Sequence, residues 1–358
     1  MKTISAVSDA QVAVVIPAYQ AAAHIAKVLR GMPPIVDRII VVDDCSPDQT
    51  AAIVQEESRR DPRIRLLRHD ENQGVGGAVL TGYAEAHRLG AKIVVKMDSD
   101  GQMDPHYLPA LVAPIARGEA DYTKGNRYLH ARQLRSMPPA RRIGNLGLSF
   151  LTKLASGYWN VFDPTNGYTA IHAAVIPLLN TEGVARRYFF ESSMLLELSL
   201  LRAVVGDVFI PARYGDETSR LSTLKSLCEF PLALSRGLCR RLWIQYFVRD
   251  FSIASVLMVF GTLLLLFGLV FGGWHWLVSI QTLIPTPTGT VMLAVLPVIL
   301  GIQFLLQTVI ADVQNVPRKP LQSNVEFLES GQPAEIVAGS TVDLRIVADE
   351  VAFRRRAV

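Results

Sequence analysis

The sequence predicts an α/β domain built on a mostly parallel sheet, followed by a C-terminal hairpin of two transmembrane helices. Two observations predict it. Between residues 12 and 215, short β-like runs alternate with helical stretches, the pattern of parallel strands covered by helices on both faces. Residues 251–311 then carry no Asp, Glu, Lys or Arg. A helix crossing the hydrocarbon core needs about 20 apolar residues, so this stretch holds two. The same concentration explains why 50% of a 358-residue chain is hydrophobic and only 19% charged.

The elements follow in order. Residues 12–16 are apolar and stop at Pro17, with a helical stretch over 21–30 behind them. Residues 38–42 read as the second strand and end in Asp43-Asp44, after which Pro47 and Asp48 open a helix running to Arg60. Residues 64–67 form the third strand and lead through Asn72-Gln73-Gly74-Val75-Gly76-Gly77 into a helix ending near His87. That glycine run lacks both the GxGxxG spacing after a first strand and the Lys-Ser/Thr of a P-loop, so it reads as a tight turn with close helix packing. Ile93–Lys96 is the fourth strand. There is no repeat beyond this alternation and no low-complexity segment.

The fourth strand delivers Met97-Asp98-Ser99-Asp100-Gly101-Gln102. Successive strand side chains point to opposite faces. Two carboxylates one residue apart therefore reach one ion only where the strand already turns into a loop, and Gly101 supplies that turn. Open α/β sheets bind ligands at the carboxyl ends of their strands. Two hard oxygen donors there suit Mg²⁺ or Mn²⁺, whose other positions stay open to phosphate oxygens. In isolation the motif would also fit a plain solvated Asp-Ser-Asp-Gly turn. Asp43-Asp44-Cys45-Ser46-Pro47-Asp48 stands at a strand end in the same way and fits either a cap and turn or a ligand-facing loop.

Pro285 and Pro287, with Thr286, Thr288 and Gly289 around them, divide the apolar stretch into helices near 252–275 and 290–311. Arg236, Arg240, Arg241 and Arg249 precede the first helix, Arg318 and Lys319 follow the second, and the connection has only His275. The positive-inside rule then places both termini in the cytoplasm, with Trp274 and Trp276 at the far interface and Trp243 and Tyr246 at the near one. Residues 1–10 are short and polar and give no expectation of a secretory signal. Cys45, Cys228 and Cys239 lack CxxC spacing, as reduced cytosolic bystanders would. The expected layout is a cytosolic domain over 1–230, a juxtamembrane amphipathic segment over 231–250, the spans within 251–311 and a cytosolic tail over 312–358. Self-association of the chain through its spans is left open.

Residues 126–142 hold Arg127, Arg132, Arg135, Arg141 and Arg142 against no acid. The aromatics and RNA-binding signatures of a nucleic-acid reader are missing, so no nucleic-acid partner is expected. A segment drawn to anionic headgroups or a lipid phosphate fits the two spans better. Behind it, Ile143, Leu146, Leu148, Phe150, Leu151, Leu154 and Trp159 make an apolar helical surface that fits either a core or an interfacial helix. In the tail, residues 342–347 alternate like a strand and Arg354-Arg355-Arg356 would touch anionic lipid.

Seven motifs in order resemble a family 2 glycosyltransferase of the GT-A (Rossmann-like) fold. The resemblance is to its membrane-attached branch of dolichyl-phosphate and polyprenyl-phosphate hexosyltransferases, and covers roughly residues 11–311. The motifs are Val15-Ile16-Pro17-Ala18-Tyr19; Val41-Val42 with the Asp43–Asp48 turn; Asn72-Gln73-Gly74-Val75-Gly76-Gly77-Ala78; the Asp98 loop; Gly125-Asn126-Arg127-Tyr128; Asp163-Pro164-Thr165-Asn166-Gly167-Tyr168; and Ile210-Pro211-Ala212-Arg213-Tyr214-Gly215-Asp216-Glu217-Thr218-Ser219.

The resemblance implies that Pro17, Tyr19, Val42 and Asp44 form the nucleotide pocket. It implies that Asp98, Asp100 and Gln102 hold the divalent metal, and that Arg127, Arg213 and Arg220 face the donor or acceptor phosphates. Asp163 and Arg141 complete the substrate-binding set. The implied reaction transfers one hexose, with inversion, from a UDP- or GDP-linked donor to polyprenyl (undecaprenyl or dolichyl) phosphate at the cytoplasmic face. Three departures stand out. Cys45 replaces the glycine of the usual Asp-Asp-Gly-Ser turn, and Gln20-Ala21 stand where an acid often follows Pro-Ala-Tyr. In Phe189-Phe190-Glu191-Ser192, serine stands where enzymes acting on sugar hydroxyls place their base. A hydroxyl must lose its proton as it attacks, whereas a phosphate monoester is already anionic, so the missing base favours a lipid phosphate acceptor. The rivals are transfer to another lipid or glycan, or a silent GT-A membrane scaffold. A processive synthase lacks its QxxRW motif here, and a soluble sugar nucleotidyltransferase would not carry the spans.

Overall fold

The structure, a computed structural model, describes residues 11–127, 139–211 and 223–323. These divide into two compact units, one running up to Gly237 and rejoined from Pro317, the other Leu238–Val316.

The first unit is built on a seven-stranded sheet. Its strands are β1 (Val12–Ala18), β2 (Val36–Asp43), β3 (Ile64–Arg68), β4 (Ile93–Lys96), β5 (Tyr122–Asn126), β6 (Thr169–His172) and β7 (Val205–Phe209), in the spatial order β3-β2-β1-β4-β6-β5-β7. Only β6 runs against its neighbours; the β1–β2, β1–β4, β2–β3 and β5–β7 pairs are parallel. The helices are α1 (Ile25–Arg30), α2 (Thr50–Arg60), α3 (Gly74–Arg88), α4 (Leu108–Ala116), α5 (Pro139–Ser156), α6 (Phe190–Leu201) and α7 (Thr223–Trp243), the last belonging to this unit up to Gly237 and to the second unit beyond it. Every residue of β1 is buried, as a central strand covered on both faces requires. One core gathers Val12, Val14 and Ile16 with Ile39, Val41, Val95, Leu111 and Val112.

The first helix is shorter than its sequence reads, and the cause is local. The N–H groups of Gln20, Ala21 and Ala22 are taken by Ser46 Oγ (3.1 Å), Thr50 Oγ1 (2.9 Å) and Asp48 Oδ2 (3.2 Å). Those side chains hold the segment in turns, and Gln20 adopts φ 53°. The glycine run at the start of α3 packs as expected. A Cβ on Gly76 would meet the Ala185 carbonyl oxygen at 2.2 Å, and one on Gly82 would strike Val15.

In the second unit, a π-helical segment (Ile244–Arg249) precedes α8 (Ile253–Thr282) and α9 (Thr288–Gln314). These two are long and apolar enough to be candidate membrane spans. The first continues past residue 275 because no charge or proline interrupts it before Pro285; it ends at Leu283, in the left-handed region. The pair packs through small residues: a Cβ on Gly268 would meet Val298 and the Ala294 carbonyl, and one on Gly301 the Leu265 backbone, the close approach that membrane helices favour. Phe260, Leu263, Val270, Leu296 and Ile299 are exposed, so the helices do not form a buried core. Asp312, expected to begin the tail, lies inside α9. Its carboxylate accepts two bonds from the buried Arg241 guanidinium (2.7 and 3.0 Å) and one from the Tyr246 hydroxyl (2.8 Å).

The tail is also more than an appendage at its start. Asp121, fully buried, accepts from the backbone N–H groups of Val204 (2.7 Å), Leu321 (2.9 Å) and Gln322 (2.9 Å), while Gln322 Nε2 donates to the Ala120 carbonyl. Residues 342–347 and 354–356 lie outside the described residues. Replacing Asp121 with Ala strands these donors, each worth about 1–3 kcal/mol when left unpaired. Asp121→Ala should lower the denaturation midpoint and open the chain around residue 321 to protease while the Asp98 loop stays protected; cleavage unchanged from wild type would refute the anchor.

Candidate active site

Parallel strands deliver their carboxyl ends to one edge of the sheet. Pro17 and Val42, both buried, are cross-strand partners there. Pro17 lies beyond the last β1–β4 pair, Val15–Lys96, where that ladder opens and a missing N–H leaves no gap on the β4 side. Tyr19 follows, 46% exposed. The crevice between β1 and β4 is the switch point of the sheet, where open α/β folds take their ligands.

Asp44, at the end of β2, is buried. Its Oδ1 meets His69 Nδ1 (2.8 Å) and accepts the Gln73 N–H (2.8 Å), and its Oδ2 accepts the Gly74 N–H (2.7 Å). The carboxylate thus serves the N-terminus of α3, where the helix dipole favours negative charge. Beside it Cys45 holds φ 58°, which explains why glycine is the usual residue of this turn.

The Asp98 loop has the expected turn, with Gly101 at φ 76°. Asp100 Oδ1 accepts the Gln102 N–H at 2.9 Å. Asp98 Oδ1 is engaged by Lys96 Nζ at 2.7 Å, and the same ammonium reaches Glu191 Oε1 at 3.1 Å. Burial alone would lower the Lys96 ammonium, but Asp98 and Glu191 outweigh it and hold it above its ordinary value. Across Thr169 of β6 stands Lys124, which burial pulls down to about 8 despite Glu191 and Asp163. Sequence reasoning missed Lys96, because in the run Ile93–Lys96 nothing distinguishes it from the end of any strand. Among the described residues, no group of three or more His, Cys, Asp or Glu side chains is placed to hold a metal by itself. Two carboxylates and an amide oxygen on one turn are nevertheless the hard donors that Mg²⁺ or Mn²⁺ takes, with diphosphate oxygens in its remaining positions. The residues fit the ion.

Arg127, just past β5, is brought onto Asp163. Nε donates to Oδ2 (2.7 Å) and Nη2 to Oδ1 (3.0 Å), the two-pronged geometry that fixes a guanidinium plane. Asp163 is fully buried and Arg127 partly exposed, so the pair presents a cation at the strand edge backed by a fixed anion. At the expected base position Ser192 is buried, in the first turn of α6. Arg213 and Arg220 lie outside the described residues, as does the side chain of Arg141. On α5, Thr152 and Ala155 are buried, while Leu146, Phe150 and Leu151 are exposed. The helix therefore has both a packed face and an apolar outer face.

The strand order, the single reversed strand and the carboxylate loop at the switch point define a GT-A glycosyltransferase fold. The structural likeness agrees: glucosyl-3-phosphoglycerate synthase from Mycobacterium tuberculosis, crystallised with Mg²⁺ and uridine diphosphate, superposes with a TM-score of 0.51 at 21% identity, over 67% of this chain and 82% of that one. Residues 13–177 match the model of glycosyl transferase family 2. The chain is also 33% identical over 222 residues to the UDP-N-acetylglucosamine–dolichyl-phosphate N-acetylglucosaminyltransferase of Methanococcus voltae, covering 58% of this chain and 88% of the relative. It is 26% identical over 182 residues to the undecaprenyl-phosphate mannosyltransferase of Micrococcus luteus, covering 50% and 74%. The chain belongs to glycosyl transferase family 2.

Next to Arg127, Asn126 Nδ2 (2.9 Å) and the Phe162 N–H (2.8 Å) donate to Asp207 Oδ2, while Oδ1 is buried with no hydrogen-bond partner among the described residues. Burial pushes this carboxyl up to about 6, above the ~3.9 of an unfolded aspartate. The folded state therefore binds the proton more tightly, stability falls as pH rises through the window between the two values, and the penalty is complete above it. Asp207→Asn keeps an acceptor for both donors and removes the charge. It should stabilise the protein by about 1–2 kcal/mol at pH 8 and have little effect near pH 4, read as thermal midpoints against pH. Equal shifts at both pH values would rule out the buried charge as the cause.

Proposed function

We propose that the chain transfers a single hexose from a UDP- or GDP-linked donor to a polyprenyl phosphate, with inversion, at the cytoplasmic face of the cell membrane. The observation that carries this reading is the Asp98-Ser99-Asp100-Gly101-Gln102 turn at the end of β4, beside the opened β1–β4 ladder. The polyprenyl-phosphate and dolichyl-phosphate specificities in the names of its relatives support the acceptor class, and the two candidate spans support association with a membrane.

In this reading Pro17, Val42 and Tyr19 line the base end of the donor site, and Asp98, Asp100 and Gln102 hold Mg²⁺ or Mn²⁺. The ion would neutralise the charge that grows on the departing diphosphate. An acceptor phosphate oxygen forms the new bond to the anomeric carbon as the bond to the diphosphate breaks on the opposite side, and no proton has to leave the nucleophile. That chemistry is consistent with a buried Ser192 where a base would otherwise stand. Arg127, held in plane by Asp163, offers its cation to one of two phosphates that must approach each other; Arg213 and Arg220 are proposed for the same work. The exposed Leu146, Phe150 and Leu151 of α5, next to Arg141 and Arg142 in sequence, would lie against lipid.

The deciding assay offers polyprenyl phosphate and polyprenol side by side with UDP- and GDP-sugars and reads the lipid product. Transfer to the phosphate is expected, giving a β-linked product from an α-linked donor, abolished by EDTA and restored by Mg²⁺ or Mn²⁺. Asp100→Ala and Asp98→Ala should lose at least about 100-fold in kcat, the scale of losing one electrostatic stabiliser. Preference for the alcohol, or retained configuration, would refute the acceptor and the mechanism; full activity in excess EDTA would refute the metal.

Topology is tested separately. A Thr286→Cys chain in intact cells should react with an impermeant thiol reagent from outside while Cys45 stays protected. Labelling of residue 286 only after lysis would reverse or abolish the proposed hairpin.

A further inference from the structure

Lys96 is the last residue of β4 and is 1% exposed. A lysine ammonium is almost never buried without partners, and the two it has come from different halves of the site. Asp98 belongs to the loop assigned to the donor's cation. Glu191 stands in the first turn of α6, beside Ser192, where a base for the acceptor was expected. A third segment closes over the ion pair. A Cβ on Gly167 would fall 2.5 Å from Lys96 Nζ and 2.8 Å from Asp98 Oδ2. Only a residue with no side chain lets the turn before β6 lie this close, and Gly167 is not among the positive-φ glycines. An alanine there would act through contact and not through backbone strain.

We propose that Lys96 is a positioning residue of the donor site: its ammonium holds Asp98 by one oxygen, offsets the Glu191 charge that would otherwise push Asp98 out of place, and ties the cation loop to the start of α6 under the cover of Gly167. This rests on the reading that Asp98 carries the divalent ion. The physical reason is charge balance in a confined place. Without the ammonium, two carboxylates face each other with nothing between them, and each is released from the orientation the other imposed through the shared cation. Groups that orient a metal ligand from behind commonly change metal affinity by about 10- to 100-fold when removed.

The test uses the full-length chain in detergent micelles. Mn²⁺ is titrated in the presence of UDP, and free Mn²⁺ is read by electron paramagnetic resonance, with thermal unfolding as a check on folding. Lys96→Met should weaken Mn²⁺ retention by about 10-fold or more. Adding Glu191→Gln to that variant should recover most of the loss, because the carboxylate left uncompensated is then gone although the ammonium is not restored. A merely space-filling lysine would leave the double variant as weak as the single one. Gly167→Ala, which presses a methyl onto the ion pair, should weaken Mn²⁺ retention in the same way, and decides the matter should Lys96→Met fail to fold. Wild-type Mn²⁺ affinity in Lys96→Met or in Gly167→Ala, or no recovery in the double variant, overturns the proposal. A wild-type chain that retains no Mn²⁺ with UDP overturns the metal reading, and the proposal with it.

Discussion

The opening of the β1–β4 ladder beyond the Val15–Lys96 pair is the constraint on which the site depends. Up to that pair the strands are locked by backbone bonds and the space between them is closed. Beyond it, β1 continues along β2 alone through Pro17 and Ala18, while the chain leaving β4 turns at Gly101. A crevice results, with apolar strand residues for its wall and two carboxylates at its lip. Because β5 runs parallel to β4 and β6 runs against both, the end of β5 and the beginning of β6 arrive at the same edge. That brings Arg127 and the Asp163–Gly167 turn beside the Asp98 loop. Reversing any one of these strands would send the polar residues at its end to the far side of the sheet.

Gathering so many charges at one edge creates an electrostatic problem, and the structure solves it by pairing. Lys96 lies between Asp98 and Glu191, Arg127 is forked onto Asp163, and Asp44 is held by His69 and two backbone N–H groups. Each bond lowers the cost of burial and also fixes an orientation, because a charge with defined partners has few rotamers open to it. The arrangement is not fully relieved. Lys124 is drawn down and Asp207 pushed up by burial, and Asp207 Oδ1 finds no partner among the described residues. Tension of this kind collects where function needs polar groups in a dry place.

Much of this was legible in the sequence, and what was not has a physical explanation. The first four strands and their order of appearance follow from apolar runs that lead to Pro17, Asp43-Asp44 and the Asp98 loop, whereas β5, β6 and β7 were not read individually. Gly101 as the turn, and the glycine run as helix packing, were readable because both are local demands. The shortened α1 was not, since the side chains that capture the N–H groups before it come from 26 to 29 residues further on. Nor was the partnership of Lys96 with Glu191, 95 residues apart, or of Arg127 with Asp163, 36 apart. The family resemblance singled out Arg127 and Asp163 one by one and gave no hint that they form a single unit. Asp312 shows the limit from the other side. A charge at the end of an apolar run looks like the start of a tail, whereas its bonds to Arg241 and Tyr246 draw it into the helix.

The pairing of Arg127 with Asp163 bears on how this edge could bring two phosphates together. An unpaired arginine near a diphosphate would bind it most tightly in the ground state, which lowers the energy of the bound substrate along with that of the transition state and gains nothing in turnover. A carboxylate behind the guanidinium weakens its field toward the substrate and at the same time holds its plane in one direction. In the proposed reaction the cation would then contribute most where geometry is exacting, at the moment an incoming phosphate oxygen and a departing diphosphate stand in line, and less to general attraction of anions. Asp163 itself is out of reach of solvent, so it cannot trade Arg127 for water when substrate leaves. In the proposed reaction the fork would stay in readiness between turnovers, because the reorganisation that a solvent-exposed arginine would undergo in every cycle is already complete in the fold.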